Sequence, residues 1–300
     1  MSLKIATEKE FSDGLKEKIK EHCRESLDLL QNQAETDPHE VVHEVRKAFK
    51  KIRGCLRLIR DQTDFYKEEN AFFRDEGRRI SDIRDATSVI EIFDDVYDRY
   101  SDQLYQKTFH KYREHLFSKR EEMAKDVLKD RGVLKTIEKQ LTDKCEDIDQ
   151  WKIDIQTFEE ISPSVERVYQ RGRKGYQKAV ETESTADFHE WRKRVKYLRY
   201  QLDLLNRIWP DFMEAWEDEL HDLSDLLGDD HDLYMLGTLV EQEKDRFADR
   251  ESFELVKSLI SFRRSKLQAE ALSLGKRLYF LDKETFVSLL GTAWEEFRSE

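Results

Sequence analysis

Two stretches of this sequence carry cations at helical spacing behind a histidine, a pattern suited to a ligand with several anionic groups. The first, His43-Glu44-Val45-Arg46-Lys47-Ala48-Phe49-Lys50-Lys51-Ile52-Arg53, recurs 146 positions later as His189-Glu190-Trp191-Arg192-Lys193-Arg194-Val195-Lys196-Tyr197-Leu198-Arg199. Six of the eleven positions are identical, and all six are polar. Core-type positions such as Val45/Trp191 and Phe49/Val195 change identity and stay apolar. Arg presents a planar fork of donors to phosphate-like oxygens, Lys a compact mobile cation, and imidazole a donor that needs no full charge.

On a helix, His43, Arg46, Lys47, Lys50, Arg53 and Arg57 fall within about 120° of one another, with Arg53 roughly 15 Å beyond the histidine. Val45, Phe49, Ile52, Leu56 and Ile59 take the opposite side, so the helix can pack an apolar stripe and present a cationic ridge. The second copy has the same geometry.

The whole chain carries a net charge of −12, and as an average this argues against a general binder of nucleic acid or anionic membrane. Locally the sign reverses. Residues 43–60 hold seven Lys/Arg against one Glu, and residues 189–199 hold five against one, which is +10 in the two stripes and −22 elsewhere. Solvated helix faces usually mix signs for intrahelical pairing. Between 45 and 60 there is no carboxylate, so these cations repel one another unless an anion answers them.

The elements that must position these ridges are helices. Only 10 Gly and 3 Pro occur in 300 residues, too few for a turn-rich architecture, and apolar residues recur at intervals of three and four almost throughout. The pattern predicts an all-α chain with helices near 8–31, 38–60, 67–98, 101–130, 133–146, 163–181, 186–208, 211–243, 250–280 and 282–298. Asp37-Pro38-His39-Glu40 reads as a cap followed by Pro in the first turn, Ser162-Pro163 repeats that order, and Pro210 separates two helices. A fainter echo, Arg84-Asp85 against His231-Asp232, extends the repeat. The expectation is a single domain, 1–300, made of a first helical half, 1–145, and a second, 146–300.

No run of about 18 apolar residues is present, and the first residues show no apolar signal core, so a cytoplasmic protein with no membrane span is expected. Cys23, Cys55 and Cys145 are odd in number and far apart, and are read as neither a disulfide framework nor a metal cluster. There is no G-x-x-x-x-G-K-[ST], G-x-G-x-x-G or G-x-S-x-G motif. The five Trp and Ala71-Phe72-Phe73 lie at core spacing.

At the doubled motif the sequence resembles the CHAD family, the conserved histidine α-helical domain, with His43 and His189 opening the two copies. Arg84-Asp85 and Leu227-Gly228-Asp229 resemble the third-helix signatures of the two halves. Tyr169-Gln170-Arg171-Gly172-Arg173 resembles the helix opening the second half, and Ala271-Leu272-Ser273-Leu274-Gly275 with Leu278-Tyr279 the closing helix. The resemblance implies two four-helix bundles related by pseudo-twofold symmetry around a central basic channel. It also implies non-catalytic binding of inorganic polyphosphate there, no cofactor, and a triphosphate-tunnel enzyme or polyphosphate granules as associates. Carried over residue by residue, the site comprises His43, Arg46, Lys47, Lys50, Lys51 and Arg53, then His189, Arg192, Lys193, Lys196 and Arg199. Arg57, Arg84, Arg171, Arg173 and Arg264 are further candidates for the channel wall. Position 51 is answered by Tyr197, so the copies are not equivalent there.

Two other readings remain. Asp222, Asp225 and Asp229 share a helix face near His221 and His231, and could serve a metal-dependent phosphohydrolase. The stripes could also serve an adaptor for nucleic acid or acidic protein.

Overall fold

The computed structural model describes residues 2–6, 8–104, 106–130, 132–247 and 249–297, and among them every regular element is a helix. The first half of the sequence forms α1 (Phe11–Asn32), α2 (Pro38–Leu58), α3 (Tyr66–Arg79), α4 (Ser81–Tyr100), α5 (Gln106–Ala124) and α6 (Val133–Asp147). The second forms α7 (Phe158–Thr182), α8 (Thr185–Leu204), α9 (Pro210–Gln242), α10 (Arg250–Leu278) and α11 (Lys283–Phe297).

Local chemistry explains several boundaries. Asp37 caps α2 by accepting from the Glu40 N–H (3.2 Å), with Pro38 in the first turn where no backbone donor is missed. Pro210 likewise opens α9. The expected start at Ser162-Pro163 is corrected: α7 begins a turn and a half earlier, because Thr157 and Glu160 form a reciprocal capping box. Pro163 then lies inside the helix, and the Ser162 hydroxyl donates to the Glu159 carbonyl (3.2 Å) that the missing proline N–H leaves open. The helix expected over 67–98 is two helices. Ser81 Oγ donates to the Arg78 carbonyl (2.7 Å), and the chain breaks at Ile80. In the second half α9 alone covers the corresponding length.

Cys23 of α1 and Cys145 of α6 form a disulfide with Cα atoms 6.0 Å apart, which corrects the reading of all three cysteines as unpaired. Their separation of 122 residues conceals the packing of α1 on α6 that brings them together. Cys55 is free and buried.

Apolar packing does not follow the division of the sequence. One core unites α1, α2, α3, α6, α7, α8 and α11 with the start of α9 and the end of α10. A second joins α4 and α5 to the far ends of α9 and α10. Both contain residues from each half, so 1–145 and 146–300 share their cores.

Within the larger core the two ridge-bearing helices, α2 and α8, meet directly. A Cβ on Gly54 would lie 2.9 Å from Cβ of Tyr200, so the absence of a side chain sets how closely they approach. Gly54 and Tyr200 are equivalent positions of the repeat. Gly54→Leu is expected to force the helices apart and cost about 1–3 kcal/mol of overpacking, read as a lower urea midpoint at unchanged slope.

Candidate functional site

The apolar sides of α2 and α8 are anchored first. Val45, Phe49 and Ile52 on α2, and Trp191, Val195 and Leu198 on α8, are essentially inaccessible to solvent. That anchoring turns the polar stripes of both helices outward, onto two adjoining solvent-open clefts.

The end of α2 and the start of α8 face the first cleft, which receives Arg53 and Arg57 together with His189, Lys193 and Arg194. The start of α2 and the end of α8 face the second, which receives His43, Lys47, Lys51 and Arg199, with Arg84 from α4. Each cleft therefore holds one of the two motif histidines. Seven residues line both: Arg46, Lys50, Asp85, Arg192, Lys196, Tyr200 and His231. Four of these are cations, contributed in equivalent pairs by the two copies of the motif.

Burial at this waist, and then the crowding of like charges, disfavours the charged forms of its side chains. Lys50 reaches cleft solvent but is walled by protein, and desolvation, then Arg46 and Arg192, push its ammonium down to about 8. Lys196 is driven well below the usual lysine range by burial, followed by Arg192 and Lys50. His189 falls to about 4 through burial and the neighbouring His231, and His43 is also lowered, by burial and then Arg84. Both motif histidines are therefore neutral at pH 7, able to donate one N–H without adding charge.

Few carboxylates answer the waist. Asp85 Oδ1 lies 3.7 Å from Arg46 Nη2, too far for a hydrogen bond. Asp232 Oδ1 is 2.9 Å from His231 Nδ1, and the His231 ring stacks on His189 with centroids 4.5 Å apart. Arg46 Nη1 and Arg192 Nε are buried and have no hydrogen-bond partner among the described residues. Buried guanidinium donors of this kind are costly unless a ligand completes them.

The remaining residues expected from sequence are distributed unevenly. Arg53 Nε donates to Asn70 Oδ1 (3.2 Å), while Arg57 stacks 3.8 Å over the Tyr197 ring, so the non-equivalence at position 51 places Lys51 in one cleft and an arginine-supporting aromatic in the other. Arg199 is engaged by Glu217 at 2.5 Å. Arg84 pairs with Glu91 at 2.8 Å. Arg171, Arg173 and Arg264 line neither cleft, and Arg264 is held by the buried Asp230 at 3.0 Å. Sequence reasoning missed Arg74 and Arg78 of α3, which line the first cleft at a spacing of four. Their signal was that spacing, but the equivalent positions in the second half, Leu220 and Ser224, carry no charge, so they fell outside the repeated motif.

The acidic face of α9 does not gather into a centre. Asp225 lines the second cleft, and Asp222 is exposed. Asp229 lines neither cleft, and its carboxyl rises to about 6 through burial and the nearby Asp95. Among the described residues no three His, Cys, Asp or Glu side chains are placed to hold a metal ion. Nor is any described helix long and apolar enough to cross a membrane.

The described residues form an all-helical fold in which two copies of one motif contribute cations to the lining shared by two clefts. The CHAD domain family model matches residues 20–241, and the chain belongs to that family. No curated protein matches the sequence.

Proposed function

We propose that this protein binds inorganic polyphosphate, without turning it over, in a channel formed where the two clefts meet between α2 and α8. The observation that carries this reading is the shared waist: Arg46, Lys50, Arg192 and Lys196 face one space, with the two lysine pKa values lowered by burial and two guanidinium donors unpartnered among the described residues. A linear polyanion has no bases to stack or read, and a succession of cations at helical spacing suits its repeated charge. Close approach of the equivalent Gly54 and Tyr200 supports a pseudo-twofold relation between the motif copies, with its axis near the crossing. Membership of the CHAD family supports the ligand class.

The −22 outside the two stripes would repel nucleic acid from the outer surface while the positive interior stays open to a thinner chain. A triphosphate-tunnel enzyme would be a fitting partner and polyphosphate granules a fitting location in the cytoplasm. Isothermal titration at physiological salt with long-chain polyphosphate and with single-stranded DNA of equal charge tests the preference. The reading requires tighter binding of polyphosphate, and equal affinities would contradict it. Sustained phosphate release with magnesium or manganese would instead favour a phosphohydrolase.

The waist predicts a pH dependence of definite sign. Anion binding favours the charged forms of Lys50 and Lys196, so ligand raises pKa values that the free cleft holds down. Affinity is therefore greatest below about pH 8 and falls as pH rises through the free-state value of Lys50. Binding at pH 7.5 takes up protons, which titration in two buffers of different ionisation enthalpy measures directly. Proton release would contradict the assignment.

A further inference from the structure

The two clefts share a waist but differ in charge. Beyond that waist the first cleft is lined by six cations, Arg53, Arg57, Arg74, Arg78, Lys193 and Arg194, against the single carboxylate of Glu190, a formal +5. The second has five cations of its own against four carboxylates, Asp203, Glu217, Asp225 and Asp232, a formal +1. Cations are paired in both clefts, but the second engages one carboxylate for each paired cation and the first one for every two. In the second cleft Lys47 is held by Glu44 at 2.9 Å, Arg84 by Glu91 at 2.8 Å and Arg199 by Glu217 at 2.5 Å. In the first, Arg74 and Arg78 share Asp75 (2.8 and 3.5 Å) and Lys193 and Arg194 share Glu190 (2.6 and 3.1 Å), so two carboxylates answer four cations, while Arg53 and Arg57 pair with no carboxylate among the described residues and take the Asn70 amide, the Arg53 carbonyl and the Tyr197 ring as partners.

Resting on the polyphosphate reading, we propose that the chain loads through the His189-side mouth, and that the carboxylates of the His43-side mouth oppose its exit there. A field of one sign along low-dielectric walls accelerates entry of a polyanion, whereas alternating charges within a Debye length of about 8 Å largely cancel. Asp225, exposed at the second mouth, stands where a phosphate leaving the waist would pass. The asymmetry was invisible in the motif because Asp203, Glu217 and Asp225 lie outside it, and Arg74 and Arg78 are answered on α9 by the uncharged Leu220 and Ser224.

Stopped-flow association with long-chain polyphosphate at low and physiological salt tests the direction of loading. Arg74→Glu/Lys193→Glu reverses two charges at the first mouth, and Lys47→Glu/Arg84→Glu reverses two at the second. The expected result is a fall in association rate at least tenfold larger for the first pair, with a shallower salt dependence. Asp225→Lys is expected to raise affinity at least threefold. All substituted side chains reach solvent, and circular dichroism confirms that each variant folds. Equal rate losses for the two pairs, or an unchanged affinity in Asp225→Lys, would overturn the proposal while leaving polyphosphate binding intact. Failure of the unsubstituted protein to bind would instead refute the function on which it rests.

Discussion

Arg46→Glu/Arg192→Glu is expected to abolish polyphosphate binding, lowering affinity by about 10³-fold or more, because losing a buried charged contact costs roughly 2–5 kcal/mol and two are reversed. Both guanidinium groups face the waist common to the two clefts, and each carries a buried donor without a protein partner. The same variant should fold and be no less stable than the parent. A Glu at either position would meet Lys50 and Lys196, whose charged forms are disfavoured by Arg46 and Arg192 as they now stand. Opposite movement of affinity and stability is the mark of a site whose repulsion is held in reserve for a ligand. Titration with polyphosphate alongside urea unfolding separates the two, and a variant that binds normally, or one that fails to fold, contradicts the role given to these arginines.

Trp191→Ala is expected to cost about 3–5 kcal/mol of stability, the range for truncating a fully buried large aromatic. Trp191 is inaccessible to solvent and its ring lies among Tyr176, Phe188 and Tyr279. Gly175 and Gly275 leave the space it fills, and a Cβ at either would press on its ring. Because Trp191 sits between Glu190 and Arg192 on α8, the cavity would also loosen the second cationic ridge. Chemical denaturation should show the loss, and polyphosphate affinity should weaken even though no cation has been removed. A stability change below about 1 kcal/mol would mean the ring is not the anchor of α8.

How far the sequence alone reaches can be judged at particular residues. The ridge was legible because helical periodicity fixes which side chains share a face: His43, Arg46, Lys47, Lys50, Arg53 and Arg57 all line a cleft. The helix caps at Asp37 and Pro210 were legible for the same local reason. The capping box at Thr157 overrode a cap-and-proline reading at Ser162-Pro163, since a proline one and a half turns into a helix is tolerated when a hydroxyl takes the orphaned carbonyl. Tertiary partners were not legible. Nothing local announces that Cys23 meets Cys145, that Arg199 is claimed by Glu217, or that Arg264 is held by the buried Asp230. Gly54 illustrates the same limit: in the sequence it is an unfavourable residue inside a helix, and only the passage of Tyr200 explains it.

The net charge of −12 also changes meaning once the chain is folded. The stripes are not merely concentrated along the sequence. Their cations converge from two helices on one space, and burial there weakens the charge they can hold without a counter-ion.

The most direct test is a crystal structure with a short polyphosphate bound. Phosphate oxygens are predicted within hydrogen-bond distance, about 2.7–3.2 Å, of Arg46, Lys50, Arg192 and Lys196. A polyphosphate chain bound on the outer surface with the waist unoccupied would contradict the account.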